Sequence, residues 1–166
     1  LRCHGHESAG LKPTRNFMNR LRAGKELLAG IEKVVEYHLA PAQFPQQGAK
    51  APAYRRLARK MAQANVSLSL LERISRADHW GRTTPNADEQ IYPNGDAFIA
   101  KAKLFLVADG ATSDVVQGRH LIQAGFTPGR QFGEILNKCR QIQDETGSSN
   151  ADEILQQALD EGGEIA

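Results

Sequence analysis

His6, His38 and Asp78 are the residues whose types and placement in this chain could support chemistry. His38 falls on or beside the apolar stripe of an amphipathic segment, and Asp78 continues an inward row set by Leu71 and Ile74. A carboxylate on such a row is costly unless it is ion-paired, hydrogen-bonded or bound to a cation. Two imidazoles and a carboxylate can ligate Mg²⁺, Mn²⁺ or Ni²⁺ and activate a water once further ligands complete the shell. The plainer reading has Asp78 capping a neighbouring helix or pairing with Arg76 or Arg82, and His38 satisfied in the core. No Walker loop, dinucleotide fingerprint, nucleophile elbow or zincin helix accompanies these residues. Cys3 and Cys139 are isolated and share no metal-type spacing, which argues against a disulfide scaffold or zinc finger and for two bland thiols.

The second candidate chemistry is phosphate binding. Arg55, Arg56, Arg59 and Lys60 occupy the polar positions of one helical segment, and Arg73, Arg76 and Arg82 follow on the next. Guanidinium groups on adjacent helices can track a phosphate backbone with salt-sensitive affinity, although a solvated helix face is the commoner meaning of such a run. All 21 Lys and Arg residues lie before position 144, together with twelve of the 19 acids, a balance of +9. Residues 144–166 carry seven acids and no base. This asymmetry fits either an anionic partner for the main body or an acidic last helix paired against it.

Helices must position all of these groups. A chain of 166 residues with 40% hydrophobic and 24% charged residues can bury one good core or two small ones. No apolar run reaches the ~20 residues of a membrane span, so a soluble, cytoplasmic protein is expected. A chain that opens on Leu1 rather than methionine is expected to be a fragment. Helical periodicity predicts helices over 14–22, with Thr14 as cap, and 25–39, ended by Pro41. Residues 41–52, with three prolines, read as an exposed loop. Further helices are predicted over 54–63, from the Ser67 cap to 77 or 78, over 96–107 before Gly110, 120–124, 129–146 closed by Gly147, and from Ser149 or Asn150 to Gly162 and Gly163. Asn150 with Glu153 approximates a capping box. With no convincing alternating run, an all-α fold of seven or eight helices is expected, with a first lobe over 1–82, a polar linker over 83–94 and a second small lobe over 95–166.

Four segments carry a family resemblance: Gly5-His6-Glu7-Ser8-Ala9-Gly10, Val34-Val35-Glu36-Tyr37-His38-Leu39, Arg55-Arg56-Leu57-Ala58-Arg59 and Ala77-Asp78-His79-Trp80-Gly81-Arg82. Their order resembles the downstream part of the HD region of bacterial tRNA nucleotidyltransferase/poly(A) polymerase-like proteins. The run Gly118-Arg119-His120-Leu121-Ile122-Gln123-Ala124-Gly125-Phe126-Thr127-Pro128-Gly129, continuing to Leu136, is similar to that family's C-terminal G-R-D-L-I…G…P-G…G-x-I-L pattern and is the more specific match. The resemblance implies an HD-domain-like first lobe with metal ligation at His6, His38 and Asp78. The upstream histidine and the His-Asp doublet of HD proteins are absent, which leaves the implied site incomplete. His120 stands where the family usually carries aspartate, and Arg130 where proline is common.

What the resemblance implies is a helical portion that holds tRNA through Arg55, Arg56, Arg59, Lys60, Arg82 and Arg119 and contributes part of an HD region. Nucleotidyl transfer would belong to an upstream domain of the same parent chain, so catalytic residues are expected here at no position. The competing expectations are a metal-dependent phosphohydrolase acting on nucleotide or RNA phosphate ends, and a non-catalytic helical interaction module.

Overall fold

Apolar stripes at steps of three and four dominate the sequence, and in the computed structural model, which describes residues 5–161, they fold as helices throughout. The described residues form eleven helical segments and no strand, an all-α architecture. None of these helices is long and apolar enough to cross a membrane. Cys3, Gly162 and Gly163 lie outside the described residues.

The described residues divide into two compact units, 5–50 with 54–112, and 113–161 with 51–53. The first begins with the single turn α1 (His6–Ala9), α2 (Leu11–Arg20) and α3 (Lys25–Tyr37). Its core is assembled by α4 (Ala40–Gln46), α5 (Ala51–Ala62), α6 (Leu68–Trp80) and α8 (Pro93–Leu104), with the short α7 (Pro85–Asp88) between the last two. Tyr54, Leu57, Ala58 and Met61 recur at one face of α5 and are buried against Leu68, Leu71, Phe98, Ala102 and Val107. Phe44 and Phe98 meet Tyr54 with ring centroids at 5.2 and 5.1 Å. Ser67 caps α6 as expected, its hydroxyl oxygen accepting the Leu70 N–H at 3.1 Å.

Two expectations about this unit change. Residues 41–52 are not simply an exposed loop: they contain most of α4 and the start of α5. Pro41 and Pro52 sit at N1 or N2 of their helices, where the missing N–H costs nothing. Burial of Ala40 and Pro41 then outweighs the breaking tendency of Pro45 within α4. The boundary expected at 83–94 also moves, to 112–113. The reason is that Phe98 and Ala102 of α8 are wholly buried in the same core as Tyr54 and Leu71.

The second unit holds α9 (Gly118–Gln123), α10 (Arg130–Thr146) and α11 (Ala151–Glu161) around Val116, Leu121, Ile135, Cys139, Ile142, Ile154 and Ala158. Gly147 closes α10 at φ 74°, a left-handed position that glycine occupies without strain. Asn150 Oδ1 accepts the N–H groups of Asp152 and Glu153 at 3.1 and 3.4 Å, one half of the expected capping box, while the Asn150 N–H donates to Ser148 Oγ at 3.1 Å and not to Glu153. Within this unit Glu161 pairs with Lys138 at 2.6 Å, and that hydrogen bond lowers its carboxyl below the usual range.

Two local costs are built into the first unit. Leu106 follows α8 in the left-handed region at φ 58° with its side chain 87% exposed, so it bears the strain of a branched side chain without the gain of burial. Replacing Leu106 with Gly should raise unfolding stability by about 1 kcal/mol, read as a higher denaturant midpoint at unchanged slope. Tyr54 is fully buried with a hydroxyl that has no hydrogen-bond partner, and burial pushes its phenol up to about 12. Tyr54→Phe should therefore stabilise the protein by about 1 kcal/mol; a loss of stability in thermal unfolding would show that the hydroxyl is satisfied.

Candidate functional site

His6 opens α1 and His38 follows the last turn of α3, and packing of α1 on α3 brings the two imidazoles together. Their Nε2 atoms are 3.1 Å apart and the rings meet edge to face, with centroids at 5.1 Å. His38 Nδ1 lies 2.8 Å from the Val35 carbonyl oxygen. A carbonyl only accepts, so that Nδ1 carries a proton and donates it. The lone pair of neutral His38 is thereby placed on Nε2, facing His6, and the His6 Nε2–H donates across the gap. His6 Nδ1 is 3.8 Å from the Glu7 carboxylate.

This arrangement also fits two neighbouring positions of a transition-metal shell. Nitrogens each ~2.0–2.1 Å from a metal and adjacent in its shell lie roughly 3 Å apart. A backbone carbonyl on the remote nitrogen is the usual device that aims an imidazole at a metal. The third expected ligand does not join them. Asp78 is not on the inward row: its side chain is 47% exposed and pairs with Arg82 at 2.5 Å. The buried row of α6 runs through Leu68, Leu71, Glu72 and Ser75, and the last turn carries Ala77 and Asp78 to solvent. Among the described residues no group of three or more His, Cys, Asp or Glu side chains is arranged to hold a metal ion.

The basic cluster is better organised. Burial of Tyr54, Leu57, Ala58 and Met61 fixes the rotation of α5, which turns Arg55, Arg56, Arg59 and Lys60 away from the core. Arg56 and Lys60 are exposed, one turn apart, while Arg55 and Arg59 are half-buried flanks. The Lys60 ammonium also lies 5.7 Å from the Tyr37 ring centroid. Arg82 is engaged by Asp78 at the end of α6. Arg119 is exposed on α9, in the second unit.

His120 holds the start of α9. It stands at N3 of α9, and its Nδ1 accepts the Gln117 backbone N–H at 2.9 Å. An aspartate carboxylate at the same place would accept that proton equally well. The acceptor is what the helix start needs, and the imidazole supplies it with the proton on Nε2. Arg130 is almost fully exposed and lies 3.4 Å from Glu134 on its own helix. Cys139 is buried in the second core and burial raises its thiol, which leaves it a packing residue.

Sequence reasoning missed one feature of the first unit. An apolar cavity of about 450 Å³ opens beside α3 and the start of α6, lined by Leu27, Ile31, Val34, Val66, Leu70 and Ile74. Leu27 and Leu70 remain substantially exposed at its edge. Helical periodicity puts Leu27, Ile31, Val34 and Ile74 on apolar stripes but carries no sign that the stripes fail to close over one another.

The chain matches no family model, no curated protein and no solved structure.

The capping role of His120 has a direct check. His120→Asp should unfold within a few tenths of a kcal/mol of the parent, whereas His120→Ala should lose about 1 kcal/mol in chemical denaturation. Equal losses in both variants would mean that the imidazole acts through packing instead.

Proposed function

We propose that this chain is the RNA-holding helical portion of a tRNA nucleotidyltransferase/poly(A) polymerase-like protein, working with an upstream nucleotidyltransferase domain of the same parent chain. The observation that carries the reading is the face of α5. Its apolar side is locked into the core, so Arg56 and Lys60 are presented together from a rigid helix, with Arg55 and Arg59 beside them. Cations spaced one helical turn apart on a fixed element suit consecutive phosphates of a backbone. Exposed Arg119 lies in the segment that resembles the family's C-terminal pattern, and a charge balance of +9 over the first 143 residues favours an anionic partner.

Fluorescence anisotropy with labelled tRNA at two salt concentrations tests this. Saturable binding that weakens steeply with salt is expected, and Arg56→Ala with Lys60→Ala should weaken it and reduce the logarithmic salt slope by about 1 to 2. Binding and slope unchanged in that double variant would reduce the cluster to a solvated helix face.

A second reading, metal-dependent hydrolysis of phosphate ends, is favoured by the facing Nε2 atoms of His6 and His38 and by the carbonyl that orients His38. These two residues would hold the ion, with Mn²⁺, Ni²⁺ or Mg²⁺ as the candidates, and a bound metal would supply an activated water. Asp78 is engaged with Arg82 and is not needed for this pair. In titration calorimetry with Ni²⁺, His38→Ala should abolish binding and Asp78→Ala should leave it intact. The absence of heat with the parent protein would remove this reading, and loss of binding in Asp78→Ala would restore the three-residue site.

A further inference from the structure

Trp80 is the single tryptophan of the chain, the last residue of α6, and 38% exposed. A large aromatic ring left in water at a helix end forfeits burial that a core position would supply. The ring is held rather than loose. The Arg76 guanidinium lies 5.5 Å from its centroid and is itself fixed by Glu72 and Asp96, each at 2.6 Å. The neighbouring His79 ring stacks on Tyr92 at 4.5 Å, nearly parallel, and its Nε2 lies 3.1 Å from the Ile91 carbonyl oxygen. The end of α6 is therefore pinned on more than one side, and Trp80 stands on it as a pre-oriented aromatic surface backed by a cation.

The charges here differ from those of α5. Arg76 is matched by Glu72 and Asp96, and Arg82 by Asp78, so little net positive charge surrounds the indole. A group that attracts phosphate is not what this place offers; a flat polarisable ring is. We propose that Trp80 is a stacking platform for an unpaired base of bound RNA, an inference that rests on the RNA-holding reading above. Base–aromatic stacking tolerates any base and adds affinity with little dependence on salt, because it releases no counterions. The two surfaces then divide the work: α5 supplies the salt-sensitive part of binding and Trp80 the salt-insensitive part.

Because the chain has one tryptophan, its emission reports on this position alone. Titrating dye-labelled tRNA while reading dye anisotropy and Trp80 emission together should show the emission quenched in step with binding. Trp80→Ala should weaken affinity about tenfold with the salt slope unchanged, and Trp80→Phe, which keeps a ring and guards against misfolding, should retain most of the affinity. Rising anisotropy with constant emission, or equal affinity in Trp80→Ala, would overturn the stacking role while leaving RNA binding in place. No anisotropy change at low salt would overturn both.

Discussion

Glu72 is a carboxylate with 5% exposure, and the first unit is organised around the need to neutralise it. Arg76, one turn along α6, reaches back to it at 2.6 Å and outward to Asp96 of α8 at the same distance. Ser75 and Tyr92 exchange a hydrogen bond of 2.8 Å in the same crossing, and burial raises the Tyr92 phenol above its ordinary range despite that bond. An uncompensated charge at this depth costs several kcal/mol; Arg76, on the same helix, supplies the compensation, and α8 adds Asp96 as the second partner of that guanidinium. The crossing is close enough that a Cβ on Gly95 would lie 2.3 Å from the Tyr92 ring and 2.7 Å from Glu72 Oε1. This glycine serves helix contact, where a sequence reader sees loop punctuation.

That is why the domain boundary was the least legible part of the fold. Residues 81–95 have the prolines, glycines and polar side chains of a linker, and local composition cannot say that the helix after them returns to the core before them. Only Phe98 and Ala102, buried beside Tyr54 and Leu71, reveal it. Signals resolved by local geometry were readable by contrast: the Ser67 and Asn150 caps, the left-handed Gly147, and the apolar face of α5 all follow from neighbouring residues alone. The proline-rich α4 misled because proline is a breaker only where its missing N–H is needed, and Pro41 sits where it is not. Leu106 shows the reverse limit, since nothing in a leucine announces a left-handed turn.

The candidate site divides along the same line. Rotation of a helix is set by its buried face, so the basic side of α5 could be read from period alone. Asp78 could not: extending the row from Leu71 and Ile74 assumes that the core continues to the end of α6, whereas the last turn projects beyond it and Arg82 satisfies the carboxylate at the surface. His6 and His38 are 32 positions apart, and no periodicity joins them. Residue type singled them out, and it is the packing of α1 on α3 that sets their nitrogens face to face.

These features sort the polar groups of the first unit by what holds them. Glu72 and Arg76 are consumed by structure, because each completes the other's neutralisation inside a crossing that the fold needs. The His6–His38 contact is of another kind, since the hydrogen bond from His38 Nδ1 to the Val35 carbonyl both satisfies a carbonyl of the last turn of α3 and orients the remaining ring nitrogen toward His6. Arg56 and Lys60 differ again, since burial of Tyr54, Leu57, Ala58 and Met61 turns the helix face that carries them to solvent. The rotation that the buried face imposes on α5 is thus what presents its basic side, and the ion-paired crossing of α6 and α8 is what holds Glu72, Arg76 and Asp96 in place.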